Sequence, residues 1–180
     1  MVSLHRWGRV VLALWVCIGS GAALAERPAP REVVERPGVV TKVSDGDTFW
    51  WRPEQCEEGS RCRPVKVRML GIDAPERCQQ GGEQSTDVLR ARLLNQTVRV
   101  RTSARDTYGR VLGEVRLDNI DVGAWMVRQG HAWSYRNGRS KGPYIQEEQV
   151  ARAARAGLFA QADAMDPSLF RKVHGPCERS

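Results

Sequence analysis

Arg68-Met69-Leu70-Gly71-Ile72-Asp73-Ala74-Pro75-Glu76 decides how this chain is read. Just before and within it, Val65, Val67 and Met69 alternate with Lys66 and Arg68. An extended segment through Gly71 therefore has one apolar face and one cationic face. Pro75 pushes Ala74 out of the helical region. An arginine, an aspartate and a glutamate thus follow one another along a strand and the bend after it.

On the N-terminal side, Val39, Val40 and Val43 lead to Asp45-Gly46, and Thr48 to Trp51 follows. Asp-Gly between β-rich runs predicts a hairpin. Alternation puts Trp50 and Trp51 on opposite faces, so one of them belongs to the core. Pro53 to Arg63 is a polar loop with Cys56 and Cys62 near its ends. On the C-terminal side, Glu83 to Leu94 reads as a helix. Thr97 to Thr102 and Arg110 to Leu117 read as strands, the first with Val98 and Val100 inward and Arg99 and Arg101 outward. Asp121 caps a helix through Arg128, stopped at Gly130. Ala132 to Tyr135 predicts a short strand, and Tyr144 to Ala156 a further helix stopped by Gly157. The tail from Gln161 reads as irregular, apart from a turn at Asp166-Pro167. Short strands with two or three helices indicate an α+β fold, with a small barrel as the plausible architecture.

Two more stretches carry charge at turns: Asp45-Gly46-Asp47-Thr48 and Asp106-Thr107-Tyr108-Gly109-Arg110. Each alone is an ordinary turn or hairpin closure. Together with Arg68 to Glu76, in this order and spacing, they resemble the staphylococcal nuclease (thermonuclease) family over roughly residues 38–159. Val127-Arg128-Gln129-Gly130 before His131-Ala132 fits the same pattern. The resemblance implies a five-stranded OB-fold barrel with about three packed helices. It also implies one Ca²⁺, held by Asp47, Asp73 and the backbone carbonyl of Ala74. Arg68 and Arg110 would contact the scissile phosphate, and Glu76 would act on the attacking water, as a general base or by orienting it. Tyr108 matches a position near the substrate phosphate. Gly123-Ala124 and Phe159 depart from the family pattern, outside the catalytic set.

The residue types suit that chemistry. A phosphodiester repels nucleophiles with its anionic oxygens. A hard cation held by carboxylates and carbonyls neutralises that charge, and such donors favour Ca²⁺ over zinc. Arginine's planar fork matches two phosphate oxygens and stays charged at any working pH. Arg99, Arg101, Arg105 and Arg110 form a basic stretch able to follow a phosphate backbone. Tyr135, like Trp50, Trp51 and Trp133, offers a ring on which bases can stack; Arg105, Tyr108 and Tyr135 are the substrate-binding candidates. The two aspartates are expected to repel each other without metal, so their removal should leave the fold intact. The resemblance implies DNA and RNA as substrates, cleaved with little sequence preference to leave 3′-phosphate ends. A non-catalytic nucleic-acid-binding module on the same barrel is the alternative, and it would not need Glu76.

The chain has 180 residues and a formal net charge of +7, a balance that suits a polyanionic partner without identifying one. Residues 1–25 carry Arg6 and Arg9 without an acid, then an apolar run from Val10 to Ile18, then Ala23-Leu24-Ala25. This is the pattern of a secretory signal cleaved after Ala25, so a secreted or periplasmic protein is expected. Residues 26–37 read as a proline-rich linker, 38–160 as the nuclease-like domain and 161–180 as a tail. Cys17 leaves with the signal, and Cys56, Cys62, Cys78 and Cys177 remain for two disulfides. Four cysteines allow three pairings. The short loop favours Cys56–Cys62, which leaves Cys78–Cys177. A monomer without an obligate protein partner is expected.

Overall fold

The computed structural model describes residues 34–56, 62–175 and 177. The expected signal segment and most of the linker lie outside the described residues. Strand β1 (Val34–Asp45) is the longest and serves two neighbours. Its C-terminal part pairs antiparallel with β2 (Thr48–Pro53), and its N-terminal part pairs antiparallel with β5 (Thr97–Arg105). Irregular register between Val40 and Lys42, and again between Val43 and Asp45, bends β1 between these partners. β2 pairs with β3 (Val65–Met69), and β5 pairs with β6 (Val111–Leu117). A parallel pairing of β3 with β6, Val67 opposite Val111, closes the order β3-β2-β1-β5-β6 into a five-stranded barrel. Closure removes the open edges that a five-stranded sheet would expose. The fold is therefore α+β with an OB-type barrel.

Alternation fills that barrel. Val40, Phe49, Val67, Val98, Val100 and Val115 are buried, while Arg99 and Arg101 point outward, as the strand pattern predicts. Trp51 is the core member of the tryptophan pair. Helix α1 (Gly82–Leu93) adds Leu89 and Leu93 to the same core. Helix α2 (Val122–Arg128) starts at Asp121, whose carboxylate accepts from the Ala124 N–H at 3.0 Å. Two short strands, β4 (Ile72–Asp73) and β8 (Trp133–Ser134), form a separate ladder, and β7 (Ile120–Asp121) pairs antiparallel with the end of β6. Helix α3 (Ile145–Ala153) is tied to β8 through Glu148, which is buried. Glu148 accepts from the Ser134 N–H and pairs with Arg136 and Arg152. Phe159 meets Trp133 edge-on, with ring centroids 5.5 Å apart.

Three differences from the sequence expectation bear on the site. β1 begins at Val34 rather than Gly38, because residues 34–37 pair with residues 99–102 of β5. β5 runs on to Arg105 by pairing with β6. The tail is not irregular: Pro167–His174 forms helix α4, the fourth α-helix among the described residues. Asp166 caps α4 by accepting from the Ser168 N–H at 2.9 Å, and Pro167 takes the first turn, where no N–H is needed.

Both disulfides join the expected partners. Cys56 bonds Cys62 at a Cα–Cα distance of 5.5 Å, and Cys78 bonds Cys177 at 5.7 Å. The second fastens the end of the tail to the segment that follows Glu76.

Candidate active site

Strand pairing brings the charged residues together. β2 lies against β3 with Thr48 opposite Arg68, which sets the Gly46-Asp47 turn beside the end of β3. The Met69 N–H donates to the Asp47 carbonyl at 2.9 Å. Gly46 is required at this turn, since a Cβ there would collide with the Ser85 hydroxyl and with Ala74. The parallel β3–β6 pairing carries the Asp106–Arg110 hairpin to the same side.

Asp47 is buried, and both of its oxygens are engaged. Its carboxylate accepts from the Thr48 hydroxyl at 2.8 Å and from the Ala74 N–H at 3.0 Å, and it pairs with Arg68 at 2.9 Å. Arg68 also donates to Asp73 at 3.1 Å and to the carbonyls of Met69 and Ile72 at 3.0 and 2.9 Å. Arg110 is held differently. Its Nε donates to Asp106 at 2.7 Å, and its guanidinium lies 5.4 Å from the Tyr108 ring centroid. Asp106 also accepts from the backbone N–H groups of Tyr108 and Arg110, which fixes the hairpin. Desolvation is the largest single influence on the Asp106 carboxyl and raises it, but the Arg110 and Tyr108 bonds together outweigh it and hold the carboxyl below its usual range.

Asp47, Asp73, Ala74, Glu76, Arg68 and Arg110 all line one open cleft of about 600 Å³. Tyr108 and Tyr135 stand at its walls and are well exposed, at 83% and 44%. Arg105 is the sequence candidate left out. Its guanidinium turns back onto the Gly109 carbonyl at 2.8 Å, and it does not line the cleft. There it braces the hairpin.

Three charged residues that the sequence did not mark as site candidates also line the cleft: Asp45, Lys66 and Arg171. Arg171 sits on α4, and the signal that would have found it is local. Asp166-Pro167 is a capping pair, Arg171, Lys172 and His174 enrich the last turn in basic residues, and Gly175 stops the helix. Its guanidinium takes both oxygens of Asp73, at 3.2 and 2.8 Å, and donates to Glu76 at 2.9 Å.

The donor chemistry fits a hard cation. Every candidate ligand is an oxygen, and three aspartates crowd one end of the cleft. Burial, and then the Asp47 charge, push the Asp45 carboxyl up to about 7. Burial raises Asp73 as well, outweighing the opposing pull of Arg171 and Arg68. Carboxyls forced toward neutrality in this way are stabilised as anions by a nearby cation. Among the described residues, however, no three His, Cys, Asp or Glu side chains already converge as a metal cage. Asp73 is gripped by two guanidinium groups instead.

Residues 66–161, just over half of the chain, match the family model described as staphylococcal nuclease homologue. The chain belongs to this family. An Escherichia coli protein described as an uncharacterized endonuclease is 37% identical over 137 residues, which is 74% of this chain and 84% of that protein. A Haemophilus influenzae protein with the same description is 34% identical over 134 residues, covering 74% and 71%. An Escherichia coli protein named ParB is 35% identical over 149 residues, covering 77% and 80%. The staphylococcal nuclease match begins inside β3 and so includes Arg68, Asp73, Glu76 and Arg110; Asp47 lies before it.

Proposed function

We propose that this protein is an exported, calcium-dependent endonuclease. It hydrolyses phosphodiester bonds of DNA and RNA with little sequence preference and leaves 3′-phosphate ends. One observation carries the reading: two buried aspartates, a glutamate and two arginines of a staphylococcal nuclease homologue face the same open cleft. The relatives described as endonucleases support the reaction class. Two disulfides support an oxidising compartment, and with it export.

The roles follow from the contacts. Asp47 and Asp73, with the Ala74 carbonyl, are the residues to hold Ca²⁺. When bound, Ca²⁺ neutralises charge on the phosphate and on the leaving oxygen. Arg110 commits its Nε to Asp106, which leaves its terminal nitrogens for phosphate oxygens. Asp106 and the Tyr108 ring hold that guanidinium before substrate arrives, so little reorganisation is needed as charge develops. Arg68 supplies a second cation at the aspartate end. Glu76, at the rim, receives a proton from the attacking water or orients that water. Tyr135 offers a partly exposed ring for a base.

Purified protein given circular single-stranded DNA, circular duplex DNA and RNA tests the proposal. Internal cleavage of all three, with ends that need a phosphatase before they can be extended, is the expected result. Ends that are extended at once overturn the 3′-phosphate assignment. Tight binding without cleavage favours the non-catalytic module.

A further inference from the structure

Several independent contacts converge on one outcome, the delivery of Arg171 to Asp73. The Gln79 amide donates to the Met165 carbonyl at 2.7 Å just ahead of α4. Arg136 pairs with Asp166, the α4 cap, at 3.3 Å. The Cys78–Cys177 disulfide fixes the other end of the helix. These three attachments hold the tail beside Glu76, and Arg171 reaches from there into the cleft.

The Arg171 guanidinium is bidentate on Asp73 and single on Glu76. Asp73 is among the most buried carboxylates of the cleft, with its side chain 5% exposed, and both of its oxygens are engaged. A cation cannot take the same oxygens while Arg171 keeps them. Arg171 itself is 38% exposed along its side chain, so it can withdraw into solvent without unfolding α4.

We propose that Arg171 is an internal competitor for the cation: a disulfide-anchored guanidinium that occupies Asp73 and Glu76 until Ca²⁺ displaces it. The inference rests on the reading of Asp73 as a Ca²⁺ ligand and deepens it. Only the fraction of molecules with Arg171 off Asp73 is competent to bind, so the apparent affinity falls by that fraction. Arg171 thereby sets the calcium concentration at which the site fills. It also occupies one Glu76 oxygen until the cation arrives. The anchor makes the competition strong, because a tethered group is present at high effective concentration.

The test is calorimetric titration of the metal-free full chain with Ca²⁺ alone, without substrate. Arg171→Gln is expected to bind Ca²⁺ about 5- to 150-fold more tightly than the parent chain, the range typical of coupled sites. Arg171→Lys keeps the charge but loses the fork, and it is expected to fall between the two. The Cys78→Ser, Cys177→Ser pair, with Arg171 intact, is expected to tighten binding in the same direction by releasing the tail. Equal or weaker Ca²⁺ binding by Arg171→Gln, with the parent chain binding normally, overturns the inference and leaves the calcium reading standing. Lack of Ca²⁺ binding by both chains overturns the calcium reading and this inference with it. Unchanged Ca²⁺ affinity with a weakened hold on a nonhydrolysable oligonucleotide makes Arg171 a phosphate contact instead.

Discussion

Asp47 and Arg68 stand 2.9 Å apart, the carboxylate before β2 and the guanidinium on β3. The pair changes the character of the acidic cluster. In the sequence, Asp47 and Asp73 look like two charges in repulsion. In the structure, Arg68 lies between them and bonds both. The same aspartate satisfies the Thr48 hydroxyl and the Ala74 N–H, so it also joins the β1–β2 turn to the chain beyond β4.

Removing Asp47 therefore costs stability, contrary to the sequence expectation. Asp47→Ala leaves the buried Thr48 hydroxyl and Ala74 N–H without an acceptor, at about 1–3 kcal/mol. Asp47→Asn keeps an acceptor and loses less. Chemical denaturation in chelator checks this, and an Ala variant as stable as the parent would contradict the bonding described.

Arg110 is the cleaner probe of chemistry, because it carries none of the Arg68 bonds to strand-end carbonyls. Arg110→Ala is expected to lower turnover by about 10²–10⁴ with little change in stability. Arg110→Lys should rescue poorly, since it loses the fork. Arg68→Ala should show a similar loss in turnover together with a lower denaturation midpoint. Steady-state kinetics beside melting curves separates the two arginines. Near-normal turnover in both variants would refute the assigned site.

The Asp45 carboxyl gives stability a pH dependence of definite sign. Its folded pKa is raised from 3.8 to about 7 by burial and by Asp47. The unfolded chain thus releases this proton first, and the contribution from Asp45 is complete below 3.8 and lost as pH rises toward 7. Asp45→Asn does not ionise. Its stability relative to the parent should therefore increase from about pH 4 to about pH 7 in chelator. A difference that stays flat across that window would show Asp45 titrating normally.

The barrel was legible because its signal is local. Val65, Val67 and Met69, like Val98 and Val100, alternate strictly with arginine or lysine, and a period of two fixes both strand and face. The site was legible for a different reason: Asp73, Pro75 and Glu76 sit close together in sequence after Arg68. What stayed hidden depends on distant packing. Arg105 looked like part of a basic track, and only the hairpin geometry turns it back onto Gly109. Arg171 enters the cleft because Cys177 meets Cys78 and Asp166 meets Arg136, contacts that span 99 and 30 residues of sequence. The short helix that carries it was announced by its cap and its glycine, yet no periodicity over eight residues says which carboxylate it will reach.

Outside the cleft, the outward face of β5 bears Arg99 and Arg101, which are exposed and only loosely paired, with Glu35 at 4.0 Å and Glu114 at 3.5 Å. If they follow the substrate backbone, binding of uncleaved DNA should weaken steeply with salt, whatever its sequence. Replacing either with glutamine should reduce the log–log salt slope by about 1. Fluorescence anisotropy at several salt concentrations measures that slope, and an unchanged slope in both variants would remove β5 from the interface.

The central claim is that the cleft around Asp73 and Arg110 cleaves nucleic acid with Ca²⁺. It is tested most directly by cleavage of duplex DNA and RNA by purified protein across a calcium titration, with chelator and with Arg110→Ala as controls. The account predicts no cleavage in chelator, cleavage that saturates with added Ca²⁺, and loss of that cleavage in Arg110→Ala. Full cleavage in chelator, or undiminished cleavage by Arg110→Ala, would contradict it.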